Sequence, residues 1–366
     1  LLDILNCFYI DPLGMFASLT DEQTITNFTS TIGNKNLMSS FICIVMPVTV
    51  AFSVISKNRN HRIVYHISSA FGYMALMTAD SYSGILGLGT VFAVLLIWFS
   101  RSVARLKRFF LSATVMLLFA KLLRLFSLCF GDKNKGFDKF QEIFVFSGIG
   151  WILLAACAVI TGFLYLIDYK KPNITISKAV PIALAVVFGF CAVAMIGIMV
   201  YFSCIDTKTD LGNFERIIRF NDIWGTHRGF MWIRSIWIFG DASFIEKLFG
   251  VGPDMFYSAF SPYFDDLSKY GDSSTNAAHN EYLNYLITIG ITGLLSYLAI
   301  VCGTIKNAVK YAKENPMLIA CVSAVICYAV QAIVNLYQPI TTPLFFIFIA
   351  LCEAFVRNAK AEKSAV

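Results

Sequence analysis

Charge is what this 366-residue sequence has least of: Asp, Glu, Lys and Arg together make up 14% of it. A soluble domain averages about 25%, because its surface must meet water. A chain this short of charge cannot clothe a globule in polar groups, which excludes a soluble enzyme or binding module. Proline is scarce too, at nine residues, so long helices can run uninterrupted. The ten cysteines include no CxxC and no CxxxH spacing, so no metal site is expected. Cys43, Cys129, Cys157, Cys191, Cys302, Cys321, Cys327 and Cys352 lie in or beside apolar runs and read as small buried hydrophobes. Cys7 and Cys204 fall outside those runs, which leaves a disulfide between them open. No signal peptide opens the chain, which starts at Leu1, and upstream helices are expected to be missing from it. No internal repeat of the kind that builds transporters from duplicated halves stands out.

What is abundant is apolar. Hydrophobic residues make up 57% of the chain, with 34 phenylalanines, and the mean hydropathy is +0.69. Nine apolar segments can be read, at about 37–56, 63–79, 84–100, 109–130, 142–167, 179–203, 281–303, 316–337 and 341–356. Several reach the roughly 18 or more residues that cross a hydrocarbon core of about 30 Å. The expected fold is all-α and polytopic, with about nine transmembrane helices in a single membrane domain over 1–366. Between the sixth and seventh runs lies a polar stretch, 204–280, much longer than the other connections. It holds Trp224, Trp232, Trp237 and many Phe and Tyr residues, which predicts a folded loop rather than a tether. Within it, Phe230 to Phe239 has the pattern of an amphipathic helix lying on the membrane surface.

The formal charge of +6 points to topology, not to nucleic acid. Lys57, Arg59 and Arg62; Arg101, Arg105, Lys107 and Arg108; Lys170, Lys171 and Lys178; Lys306, Lys310 and Lys313; and Arg357, Lys360 and Lys363 all fall on one side if the nine runs alternate. Short loops rich in Lys and Arg stay cytoplasmic. That places the C-terminus inside, and 204–280, residues 1–36 and Gly131–Gln141 outside.

The sharpest local signal closes the long loop: His279-Asn280, nine residues, then Gly290-Ile291-Thr292-Gly293. It predicts a histidine at the external mouth of the seventh span. Two glycines three apart would lie deeper on one face, letting a neighbouring helix approach closely. An imidazole there can exchange a proton near neutral pH. This pattern resembles the signature of the O-antigen ligases and related polysaccharide polymerases. Two further stretches are similar to the same family. One is Arg228-Gly-Phe-Met-Trp232 followed by the Gly250-Val-Gly-Pro253 turn; the other is Gly33-Asn34-Lys35-Asn36 at the head of the first apolar run. The matches run in order from about 33 to 293.

The resemblance implies a GT-C-like membrane architecture with one long folded external loop. It also implies glycosyl transfer from an undecaprenyl-diphosphate-linked donor to a glycan or lipid-glycan acceptor, at the outer face of the bacterial inner membrane and without a cofactor or metal. Such chemistry needs cations where negative charge grows on the leaving diphosphate, and arginine suits this, being planar and bidentate toward phosphate. Arg228 is the matched candidate, with Arg216, Arg219 and Arg234 nearby to assist and Trp232 and Asn280 inside the motifs. His279 is the candidate base for the acceptor hydroxyl. The sequence departs from the family at Tyr82, which stands where many members have an arginine. Lys121 and Arg124, inside the fourth span, are candidates to replace it, since intramembrane cations commonly line a functional cavity.

Each of these residues has a plainer reading. A histidine at a helix start often caps it or faces water, and Arg228 can anchor a surface helix to headgroups. Lys121 and Arg124 can snorkel to the interface. Asp265, Asp266 and Asp272 can be read as a glycosidase-like carboxylate pair, but they sit in a Ser- and Tyr-rich loop and are expected to be solvated. The rival function is a flippase for lipid-linked oligosaccharides, which would explain the helices but not the long loop.

Overall fold

In the computed structural model, residues 1–130, 134–137, 139–172 and 174–364 are described. Of the connection 131–141 expected to be external, residues 131–133 and 138 lie outside that set. The regular structure of the described residues is helical, apart from a single isolated bridge between Ser102 and Thr175. The main helices are α1 (Lys35–Ile55), α2 (Arg59–Thr78), α3 (Tyr82–Phe99), α4 (Val103–Phe130), α5 (Gly148–Lys170), α6 (Ala179–Val200), α7 (Trp224–Asp241), α8 (Glu281–Thr288), α9 (Gly290–Tyr311), α10 (Met317–Gln331) and α11 (Thr342–Ser364).

Seven described helices are long and apolar enough to cross a membrane: α1, α3, α4, α5, α6 extended to Ile205, α9, and α10 extended to Val334. The other two expected spans are helices in place, but they are more polar. Arg59, His61 and Arg62 occupy the first turn of α2, and Arg357, Lys360 and Lys363 occupy the last turns of α11.

One expectation needs correction. The segment 281–303 is not one continuous helix: α8 ends at Thr288, Ile289 leaves helical geometry, and α9 begins at Gly290 with φ +67°.

The chain divides into two compact units. The first comprises residues 1–182, 304–331 and 338–366. Here the Gly33-Asn34-Lys35-Asn36 stretch has a structural job. Gly33 takes a left-handed φ of +82°, and the Asn34 side chain caps α1 by accepting from the Asn36 and Leu37 amides at 2.8 and 3.4 Å. Close helix approach occurs on α3. A Cβ at Gly84 would collide with Ser39 Oγ, and one at Gly87 would stand 2.8 Å from the Cys327 carbonyl. Small residues thus let α3 lie against α1 and α10. Cys7 and Cys204 are both free thiols.

The second unit comprises 183–303 and 332–337. It contains the long loop, which folds around its own core of Phe230, Met231, Phe256, Phe260, Leu267, Ala278 and Ile287. Residues 230–239 lie within α7. Phe230 and Met231 turn into this core, whereas Ile236 and Trp237 are exposed. Asp265, Asp266 and Asp272 are exposed, with Asp266 paired to Lys269.

Candidate active site

The break between α8 and α9 is where the two glycine motifs meet. The last carbonyls of a helix have no partner within it. Those of α8 are taken by the Gly250 turn: the Val251 amide donates to the Ile287 carbonyl at 2.9 Å and the Gly252 amide to the Thr288 carbonyl at 3.0 Å. In return, Thr292 Oγ1 in the first turn of α9 donates to the Leu248 carbonyl at 2.7 Å. Backbone lies on backbone, so neither side has room for a side chain. A Cβ at Gly250 (φ +79°) would collide with the Thr288 carbonyl. One at Gly290 (φ +67°) would collide with the Leu248 carbonyl and stand 2.6 Å from the Gly250 nitrogen. Gly290 thus receives a turn of the loop, while Gly293 faces the Ile289 side chain of its own segment.

Gly290→Ala or Gly250→Ala is therefore expected to destabilise the protein by about 2–5 kcal/mol, combining left-handed strain with a forced backbone shift. A thermal-unfolding midpoint in detergent measures this, and an unchanged midpoint in both variants would rule out the tight docking.

At the other end of α8, Asn280 is the N-cap, its side chain accepting from the Leu283 amide at 3.0 Å. Asn284 Oδ1 accepts from the Ala278 amide at 3.2 Å. Between these two anchors His279 is held half-buried in a left-handed corner, φ +49°. Glu281, which sequence reasoning passed over, is fully buried and accepts from Tyr297 Oη of α9 at 3.0 Å. The bond ties the start of α8 to α9 across the break. Its only signal in the sequence is an acidic residue in a first helical turn, which ordinarily means a solvent-facing complement to the helix dipole.

Arg228 lies beyond a turn of three left-handed residues, Gly225, Thr226 and His227, with φ of 57°, 58° and 67°. One guanidinium nitrogen donates to the Gly225 carbonyl at 2.9 Å. Its Nε is buried and finds no hydrogen-bond partner among the described residues; the same holds for Trp232 Nε1 and His227 Nδ1. His227 stacks on Tyr270 with ring centroids 4.8 Å apart, and Trp232 packs on Trp224 at 5.0 Å.

The Arg228 charge bears on His279. Burial pushes the His279 imidazole down to about 4, and the Arg228 charge adds to the shift. Burial also lowers the Arg228 guanidinium.

The other candidate cations are differently placed. Arg219 spends its donors on the loop itself, on the carbonyls of Phe202 (3.1 Å), Asp206 (3.3 Å) and Thr209 (2.7 Å) and on Glu215 (2.6 Å). Arg234 pairs with Asp222, which also accepts from Tyr270 at 3.3 Å, and lies 4.0 Å over the Phe230 ring. Arg216 is exposed. In the first unit, Lys121 donates to the carbonyls of Val145 (3.0 Å) and Ser147 (3.2 Å), and Arg124 to that of Phe146 (3.3 Å). Together they satisfy the exposed end of the short helix Lys139–Val145. Tyr82 is exposed, its ring 6.5 Å from that of Phe140.

No curated protein matches the chain. A family model does: residues 143–298 match that of the O-antigen ligases. The matched segment runs from just before α5 into α9 and contains Arg228, the Gly250 turn, His279 and the α8–α9 break. The match covers less than half of the chain; over that segment the chain is similar to the O-antigen ligases, within a protein that has seven described helices long and apolar enough to cross a membrane.

Proposed function

We propose that the chain is a metal-independent glycosyltransferase that polymerises or ligates undecaprenyl-diphosphate-linked glycan at the outer face of the bacterial inner membrane. The observation that carries the reading is the pairing of Arg228 and His279, far apart in sequence, in one electrostatic environment. In the proposed reaction the acceptor hydroxyl attacks the donor's anomeric carbon. The bond from that carbon to the diphosphate oxygen breaks, and undecaprenyl diphosphate leaves. His279 takes the hydroxyl proton, and Arg228 meets the charge that grows on the diphosphate.

A pKa of about 4 describes a weak base before the donor arrives. A bound diphosphate reverses the balance, since opposite charge nearby favours the imidazolium. The donor would thereby raise the histidine toward the working pH at the moment a base is needed. Trp232, Asn280, Arg234, Arg219 and Arg216 are proposed to help seat the donor. Lys121, Arg124 and Tyr82, in the first unit, are proposed separately as substrate-binding residues.

The test uses purified protein, a lipid-linked glycan donor and a glycan acceptor in detergent with a chelator. Lengthened glycan with release of undecaprenyl diphosphate is the expected result. Movement of the donor across reconstituted vesicles without any bond change would establish the flippase instead.

The topology is testable separately. In a cysteine-free background, a cysteine at Ser273 is expected to react with an impermeant maleimide in intact cells, and one at Lys306 only after lysis. The reverse pattern would invert the whole assignment.

A further inference from the structure

We infer that the short helix Phe244–Phe249 is a membrane anchor, sunk into the leaflet at the head of α9, and that it fixes the depth of the candidate active site. Its sequence, FIEKLF, puts Phe244, Ile245, Leu248 and Phe249 on one stripe. Phe244 is 76% exposed, Ile245 71% and Phe249 63%, a concentration of apolar surface that water does not tolerate cheaply on a folded loop. The charged residues of the helix are turned to other work. Glu246 closes a capping box with Ser243, and Lys247 donates to the Gly240 carbonyl at 2.7 Å.

Six residues do not hold a helix in water by themselves. This one is held at its start by the capping box and at its end by the docking of Leu248 and Gly250 on the α8–α9 break. That docking settles what covers the exposed stripe. The Leu248 carbonyl bonds Thr292 in the first turn of α9, and α9 is a membrane span whose Ile291 and Leu295 are exposed, Leu295 at 60%. The stripe continues that lipid-facing surface at its upper edge. Ile236 and Trp237, near the end of α7, are exposed apolar residues of the same loop. Aromatic side chains at the rim of a span and an apolar helix face lying in the interface are what a bilayer boundary selects. The partner is accordingly phospholipid. Because Gly250 lies at the end of this helix, the anchor also sets how far above the bilayer the α8 helix and His279 stand.

The test does not depend on catalysis. Phe244, Ile245 or Phe249 is replaced by p-benzoylphenylalanine in the full chain, which is then placed in phospholipid nanodiscs, irradiated and weighed by intact mass spectrometry. Adducts of one phospholipid are expected at all three positions, at a yield within about twofold of a control at Leu295 in α9, and none at exposed Asp265. Adducts at Leu295 but not at the three loop positions would overturn the anchor. Cross-linked protein dimers there in place of lipid adducts would also overturn it and assign the stripe to a second copy of the chain. A failure of this experiment leaves the glycosyl-transfer assay untouched, and the reverse holds as well.

Discussion

Replacing His279 with alanine is expected to slow glycan transfer about 10²–10⁴-fold, the usual cost of a lost general base. The fold should survive. His279 sits in a corner built by its neighbours: Asn280 caps α8, Asn284 holds the Ala278 amide, and Ala278 lies in the loop core. Alanine removes none of these. It does inherit the left-handed φ, so His279→Asn is the better control, since asparagine tolerates that conformation. Both variants should lose activity while keeping the wild-type unfolding midpoint.

The pH profile gives a second readout. The profile of kcat/KM reports the free enzyme, in which burial and Arg228 hold the imidazole near 4. Its acid limb should therefore fall through about pH 4 and not through the ordinary histidine range. Stability follows the same sign. Above about pH 6.5 the imidazole is neutral in both the folded and the unfolded chain. Between about 6.5 and 4 the unfolded chain takes up a proton that the folded site refuses, so stability is lost as the pH falls through that window. Wild-type polysaccharide length in a deletion strain carrying His279→Ala would remove the catalytic role.

The membrane helices were legible because hydropathy is an additive property: a run of apolar residues declares itself without knowledge of its neighbours. The histidine motif was legible for another reason. It is local, and its order along the chain matches a family pattern. What could not be read was whatever one distant segment imposes on another. Gly290 in an apolar run looks like a packing residue, and only the arrival of the Gly250 turn shows that it marks a break. Glu281 looks solvated until Tyr297 folds back over it. Arg219 looks available for phosphate until four loop acceptors are seen to hold it. Lys121 and Arg124 could be read only as intramembrane cations, and the carbonyls they bond lie at a helix end the sequence does not mark. A cation's partners are set by tertiary structure, so cation-rich stretches overstate the number of free binding groups.

Arg228→Ala is expected to cost about 10²–10³ in rate, the loss that follows removal of one charge-stabilising donor. Arg228→Lys should recover little of it. The guanidinium is already aimed: one nitrogen is tied to the Gly225 carbonyl by the left-handed turn, and Nε is left buried without a partner among the described residues. An arginine so held presents its remaining donors as a fixed fork, whereas an ammonium has neither the plane nor the spacing to meet two phosphate oxygens at once. A purely structural role would look different, because lysine could still bond Gly225 and restore much of the rate. The effect of the Arg228 charge on His279 adds a test that structure alone would not move. Removing the Arg228 charge removes one of the two causes that lower His279, so the residual activity of Arg228→Ala should show its acid limb shifted upward from about 4. Burial remains as the larger cause, which keeps the limb below the ordinary histidine range. Single-turnover rates across pH, with the lipid-linked donor saturating and then limiting, measure both effects. An unmoved acid limb together with full rescue by lysine would separate the two residues and end the proposal that they share one site.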